Sequence, residues 1–260
     1  MKQITKTVQQ IGNGGHIYLP RETIGKKVVI TLQEKTLEDI KEEILYILKP
    51  FLENIQGIYL HGSYARNEQT PESDIDVLVI TDGRIKLKKR VNEYEIISMS
   101  PEELKRAIGY TAPLILPAVR ESIPLLNQQL IQKYKKENIT KKNTKWYIET
   151  TESSLRLAKY LVEEKDIKGA VYPLIMRLRG LHMISSLIKN KPYSEREVEL
   201  YLFKKGMDPK KIREFNSMYR ELRDKKTISE SSLNYEDLTN IYKAICENYQ
   251  EVKLLWEKLK

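Results

Sequence analysis

The stretch Gly62–Val79, "GSYARNEQTPESDIDVLV", decides how this chain is read. A Gly-Ser pair follows the short apolar run "GIYL", with His61 between them. Ten residues then separate Ser63 from Asp74, and Asp76 follows one residue on. The run "DIDVLVIT" has the β-branched character of a strand, where side chains alternate between faces. Asp74 and Asp76 then project to one face, and Ile75 and Val77 to the other. Two bare carboxylates side by side repel, and one takes up a proton unless a cation intervenes.

A divalent ion removes that conflict, and Mg2+ favours carboxylates together with phosphate oxygens. Gly62 lets the backbone approach a ligand closely, so amide N–H groups and the Ser63 hydroxyl can hold a phosphate. Carboxylates facing a phosphate cradle are the arrangement for phosphoryl or nucleotidyl transfer. Each piece alone is common: Asp-x-Asp is also a hydrated strand end, and Gly-Ser an ordinary turn. The signal is their conjunction in this order.

Outward from that stretch, residues 36–118 read as an α+β unit: a small sheet with flanking helices. "LEDIKEEILYILKPFL" places Leu37, Ile40, Ile44, Leu45, Ile47, Leu48 and Leu52 at helical spacing. "GIYLHG", "DIDVLVIT" and "EYEIISM" read as strands. "RIKLKKR", residues 84–90, is basic and reads as a solvated loop or a steering surface for an anion. In "SPEELKRAI" Ser100 is an N-cap, Pro101 the first helical residue and Glu103 the capping-box partner.

Residues 119–260 read as a helical bundle, with "KYKKENITKKNTK" (133–145) as linker. Amphipathic stretches run over 146–164, 170–188, 195–205 and 236–259, with a fifth in "DPKKIREFNSMYREL". Residues 1–33 carry β-branched runs around "GNGG", a hairpin signal. "YLPRETIG" predicts a short helical turn ended by Gly25, and "KKVVITL" a further strand. So short a segment needs a partner for its apolar residues.

The chain has 260 residues and 40% hydrophobic content, which suits a folded protein. Lys and Arg number 45 against 36 Asp and Glu, a net charge of +9. That balance favours anionic partners, and it also follows from lysine-rich solvated helix faces. No apolar run approaches the ~20 residues of a membrane span, and the first residues lack the apolar segment of a signal peptide. One cysteine, Cys246, excludes an intrachain disulfide and leads us to expect a cytoplasmic protein.

The central stretch resembles the minimal nucleotidyltransferases of the DNA-polymerase-beta superfamily, whose pattern is Gly-Ser, ten residues, Asp-x-Asp. Gly62, Ser63, Ala65, Arg66, Ser73, Asp74, Ile75, Asp76, Leu78 and Val79 stand in register with it. Asn67 departs from the family's glycine, and His61 stands where an aromatic residue is common. The resemblance implies ATP held at Gly62 and Ser63, with Arg66 and Ser73 nearby. Two Mg2+ ions, replaceable by Mn2+, would sit on Asp74, Asp76 and a third acid. Glu95 is in place for that third role, with Glu93 the runner-up on the same strand face. Arg66 could meet the triphosphate or pair with Glu68 or Glu72.

Two further resemblances are looser. "IGNGGHIYLPRETIGKKVVITL" looks like the swapped-hairpin AbrB-like modules, which dimerise and often bind DNA. The helical half is similar to HEPN proteins, the toxin partners of such transferases, and "RLRGLH" sets Arg177 and His182 at a spacing like their ribonuclease motif. His182 continues the apolar stripe through Leu178, however, and lies ~140° around the helix from Arg177. The resemblances imply an enzyme moving AMP from ATP to a hydroxyl of a protein or a small molecule, in a homodimer. The alternative is a DNA-binding regulator, or toxin–antitoxin component, with an inactive transferase domain.

Overall fold

The computed structural model describes residues 4, 6, 8–12, 14–30, 35–70, 73–224 and 231–259. The chain divides into two compact units, Met1–Leu37 and Glu38–Lys260.

In the first unit β1 (Gln9–Ile11) pairs antiparallel with β2 (Gly14–His16), Gln9 facing His16. Gly12 supplies a positive φ of 56° at the turn. A 3-10 turn covers Arg21–Thr23, and Gly25 follows at φ 76°, as "YLPRETIG" predicts. The expected strand over "KKVVITL" is not formed at 26–30, and 31–33 lie outside the described residues. A strand needs a ladder partner; here Val28, Val29 and Ile30 stay exposed, Val29 to 93%. None of residues 4, 6, 8, 9, 11, 12, 14–30, 35 and 36 is buried.

The second unit is built on a mixed sheet in the order β5-β6-β4-β3-β7. Its strands are β3 (Ile55–His61), β4 (Ile75–Thr81), β5 (Arg90–Val91), β6 (Tyr94–Met99) and β7 (Ile123–Leu126). β4 runs parallel to β6 and antiparallel to β3. Alternation along the two central strands sorts the faces. Ile58, Leu60, Val77 and Val79 pack against Ile40, Ile44 and Leu48 of α1 (Leu37–Leu48). Tyr59, Leu78 and Ile80 turn the other way, into the core shared with the helical half. Asp76 has the parity of Leu78 and Ile80.

The helices are α2 (Gly62–Ala65), α3 (Pro101–Glu121), α4 (Gln128–Lys135), α5 (Lys141–Glu163), α6 (Ile167–Ile188), α7 (Glu195–Lys204), α8 (Pro209–Arg223) and α9 (Tyr235–Glu257). α3 begins with the predicted capping box. The Ser100 hydroxyl accepts from the Glu103 N–H at 3.1 Å, and the Glu103 carboxylate from the Ser100 N–H at 2.7 Å. Thr111 breaks the helical angles (φ −133°, ψ 40°) ahead of Pro113. Proline removes a backbone donor and crowds the preceding turn, so the helix kinks there.

Two expectations need correction. The chain beyond Ala118 is not helical throughout, because β7 adds a fifth strand beside β3. Pro124 made this strand hard to read, since proline is excluded from central strands; at a sheet edge it is tolerated. Residues 133–145 are the end of α4, a short turn and the start of α5.

α5, α6 and α9 form the bundle core around Leu174, Leu178, Leu181, Ile241 and Ile245. α5 approaches α6 closely at Gly180, where an added Cβ would lie 1.7 Å from the Tyr147 hydroxyl. That hydroxyl donates to the Met176 carbonyl at 2.9 Å, and the ring is buried, so Tyr147 cannot swing aside. Gly180→Ala gains ~1 kcal/mol of helix propensity but overpacks the interface by ~1–3 kcal/mol. We expect net destabilisation in urea unfolding, and partial recovery when Tyr147→Phe is added.

Candidate active site

β3 delivers His61 and Gly62 to one end of the sheet, and β4 delivers Asp76 to the same end. His61 is the antiparallel partner of Asp76, and Glu95 its parallel partner on β6. Cross-strand partners share a face, so Asp76 stands between His61 and Glu95. Of the two candidates for the third acid, Glu95 is the one in register. Glu93 lies in the turn before β6, where its carbonyl accepts from the Ile75 N–H at 2.9 Å.

Gly62 has φ 73°, and a Cβ there would lie 1.9 Å from the Asp76 Oδ2. Only glycine satisfies both the angle and the space. The Asp76 carboxylate therefore sits directly under the Gly-Ser turn. Burial, then the neighbouring Glu95 and Asp74 carboxylates, push its pKa up to about 7. Burial also pushes the imidazole of His61 down to about 4, aided by the Arg66 charge. It stands neutral against the turn, its Nε2 without a partner among the described residues.

Arg66 carries two carboxylates. Its Nη1 donates to both oxygens of Glu121 at 2.9 Å, and its Nε to Glu68 at 2.9 Å. Glu72 lies outside the described residues. The Arg66 guanidinium also stacks over the Tyr193 ring, 5.3 Å from its centroid. Burial works against its charge, but Glu121 and Glu68 outweigh that and raise its pKa. The Gly62 N–H donates to Glu121 as well, at 2.8 Å. One carboxylate, arriving on the kinked end of α3, thus holds two groups that the sequence assigns to a phosphate. Burial raises the Glu121 pKa, and the bonds from Arg66 and Gly62 pull against it.

A cleft of about 150 Å³ opens beside these groups. Ser63, Arg66, Ser73, Asp74 and Asp76 line one side, and Arg179 of α6, Glu195 of α7, and Arg220 and Arg223 of α8 the other. The Ser73 hydroxyl accepts from the Thr70 N–H at 2.8 Å. Asp74 is covered by arginines: Arg90 on one oxygen at 2.5 Å and Arg223 on the other at 3.1 Å. The basic segment 84–90 thus contributes one residue, Arg90, to the site. Glu68 takes a hydrogen bond from the Ser194 hydroxyl, which ties the loop after α2 to the N-terminus of α7.

Among the described residues no three acid, histidine or cysteine side chains close to metal-holding distance. The donor chemistry nevertheless fits Mg2+, since Asp74, Asp76 and Glu95 offer only carboxylate oxygens. Burial, with Glu95 and Asp74 adding to it, holds Asp76 partly protonated near neutral pH. A cation would relieve that crowding, with Asp74 released from Arg90 and Arg223.

The predicted Arg177 and His182 are not brought together. Arg177 lies over the Tyr147 ring at 4.8 Å and reaches Thr150, whereas His182 packs edge-on against Tyr201 at 5.1 Å. Sequence reasoning missed Glu121, Arg179, Arg220 and Arg223. The i, i+3 pair in "RELR" puts Arg220 and Arg223 on one face of α8, but nothing in it points to the cleft.

Residues 37–168 match the nucleotidyltransferase domain family. The chain belongs to that family. Two proteins of Methanocaldococcus jannaschii, each provisionally named a protein adenylyltransferase, are 53% identical over 51 residues and 49% over 47. Those matches cover 18% and 17% of this chain, and 50% and 48% of the relatives. The chain thus spans about half the length of the curated relatives it matches. Among solved structures, a nucleotidyltransferase-like protein from Exiguobacterium sibiricum 255-15 aligns over 84% of this chain and 77% of its own. It is 15% identical, with a TM-score of 0.32. A spectinomycin adenyltransferase from Enterococcus faecialis aligns over 84% of this chain and all of its own, at 14% identity and a TM-score of 0.41.

The pKa of Asp76 makes the stability of this chain pH-dependent. In the unfolded chain an aspartate titrates near ~3.9, and in the folded one Asp76 titrates at about 7. Between those values the folded state holds a proton that the unfolded state has lost, so stability falls as pH rises. The contribution is full below pH ~4 and gone above ~7, a change on the order of 1–4 kcal/mol. Asp76→Asn removes it. Urea midpoints measured from pH 4 to 8 should fall less steeply for the variant than for the wild type; parallel curves would contradict the assignment.

Proposed function

We propose that this nucleotidyltransferase moves AMP from ATP to a hydroxyl acceptor, and that the acceptor is a protein. The observation that carries this reading is the cleft itself: Ser63, Asp74 and Asp76, with Arg66 beside them, face Arg179, Arg220 and Arg223 across one opening. Arginine suits phosphate geometry, and a triphosphate carries enough charge to satisfy several. Both M. jannaschii relatives carry an adenylyltransferase name, which supports AMP as the group transferred.

In this reading the triphosphate lies at the Gly62–Ser63 turn. The acceptor oxygen forms a bond to the α-phosphorus, the bond from that phosphorus to the β-bridging oxygen breaks, and pyrophosphate leaves. Glu95 takes the proton of the attacking hydroxyl as general base. The arginines of α6 and α8 hold the leaving pyrophosphate. Asp74, Asp76 and Glu95 would hold Mg2+, which supplies charge neutralisation at the reacting phosphate. Two further parts of the proposal follow the resemblances. The helical half covers the nucleotide cleft and holds the acceptor, and a HEPN-type toxin is a candidate partner to be modified. The exposed apolar side chains of the N-terminal hairpin are covered by the same segment of a second copy, in a homodimer able to meet DNA.

One observation favours a second reading. Asp74 is neutralised by Arg90 and Arg223, and the Gly62 N–H is taken by Glu121, so both stand as they would in an inactive transferase that serves as a regulator. Incubation with α-labelled ATP and Mg2+, followed by intact-mass measurement, separates the two. The enzyme reading expects label transfer and an AMP-sized increase on this chain or an added partner, reduced ~100-fold or more in Asp76→Asn. Equal transfer by wild type and variant would remove the carboxylate role. No transfer, with salt-dependent DNA binding lost on deletion of residues 1–33, would establish the regulator.

A further inference from the structure

The arginines that line the cleft are not equivalent. Arg66 is held by Glu121 and Glu68, and Arg179 by Glu195 at 3.2 Å. Arg223 is held by Asp74, the aspartate that the sequence assigns to a metal, with its Nη2 3.1 Å from the Oδ2. Arg220 stands one turn earlier on the same face of α8. Its guanidinium has no hydrogen-bonding or ionic partner among the described residues.

Exposure decides which member of the Asp74 pair can move. The Asp74 side chain is 11% exposed, and the next residue, Ile75, is buried and bonded to the Glu93 carbonyl. The arginine side chains that cover it are 38% exposed for Arg223 and 54% for Arg90. Ion pairs made by such long, exposed side chains are weak. Arg223 also has a second partner, since its Nε donates to Asp224 at 2.7 Å, so leaving Asp74 does not strip its charge bare. A metal ion arriving alone meets a guanidinium on each oxygen of the carboxylate it needs, and like charges repel. A polyphosphate meets the free Arg220 first. Its further oxygens then compete with Asp74 for Arg223.

We propose that Arg223 is an exchangeable clasp on Asp74. It covers this carboxylate in the empty cleft and passes to the phosphates of a nucleotide once Arg220 has engaged them. A metal ion therefore gains Asp74 only in the company of a polyphosphate. Arg220 is the anchoring residue for the nucleotide, and Arg223 a positioning residue that couples nucleotide to metal. The inference rests on the nucleotide reading of the cleft and adds to it a division of tasks along α8.

The test titrates the two ligands separately into the full-length protein. Mn2+ alone is followed by electron paramagnetic resonance of the free ion, and α,β-methylene-ATP alone, in EDTA, by calorimetry. Arg223→Gln should bind Mn2+ about threefold to tenfold more tightly than the wild type, and the analogue about threefold more weakly. Arg220→Gln removes the same charge from the same cleft without touching Asp74. It should gain less than about twofold for Mn2+ and lose about tenfold for the analogue. Adding Asp74→Asn to Arg223→Gln should abolish the Mn2+ gain. Glutamine preserves the last turn of α8, and a disturbed fold weakens both ligands, so opposite shifts in one variant report the clasp. With the analogue bound by the wild type, no Mn2+ gain in Arg223→Gln, or an equal gain in Arg220→Gln, overturns the clasp alone. Analogue binding unchanged in Arg220→Gln overturns the anchor. No analogue binding by the wild type overturns the nucleotide reading, and this proposal with it.

Discussion

The balance of charge around Asp76 is the constraint on which the rest of the site depends. This carboxylate is pressed beneath Gly62 with no room for a Cβ, and shares its surroundings with Asp74 and Glu95. Acids so crowded in a partly buried place cannot all ionise without compensation. Arginines supply it. Arg66 comes from the turn itself, Arg90 from the edge strand, and Arg179, Arg220 and Arg223 from the helical half. The site is therefore an array of paired opposite charges. Its apolar foundation is the core that runs from Tyr59, Leu78 and Ile80 through α3 into α5, α6 and α9.

That foundation explains why the helical half takes part. Asp76 shares its parity with Leu78 and Ile80, so it faces the helices rather than α1. The same alternation that buries the even-numbered apolar residues of β4 against α3 aims the carboxylate toward α6 and α8. Had the strand slipped by one residue, Asp76 would point toward α1 and no arginine of α8 would reach Asp74.

Much of this was legible in the sequence, and the parts that were not share a cause. The capping box at Ser100 was readable because its two hydrogen bonds lie within four residues. Asp76 on a buried strand, with Gly62 before it, was readable because β-alternation and glycine's freedom are local rules. Arg223 was not, because it meets Asp74 across 149 residues, and no short-range pattern encodes that meeting. Glu121 was hidden by the kink at Thr111, which re-aims the last turns of α3. β7 was hidden by Pro124, harmless at an edge. Arg177 and His182 show the opposite failure: a familiar spacing on a helix, with each side chain packed against a different aromatic ring.

The internal ion pairs bear on what the cleft can bind. Arg66 and Arg223 never stand bare, because Glu121, Glu68 and Asp74 hold them. A ligand anion entering here exchanges one partner for another rather than filling an empty charge, so a single negative charge gains little. A ligand with several linked charges gains more, since its first contact raises the local concentration of the rest. It would also leave Asp74 and Glu121 without their arginines beside the already crowded Asp76, and that new excess of negative charge calls for cations entering with the ligand. The proposed triphosphate substrate and the proposed metal would thus be two consequences of one arrangement: acids and arginines that already neutralise each other before anything binds.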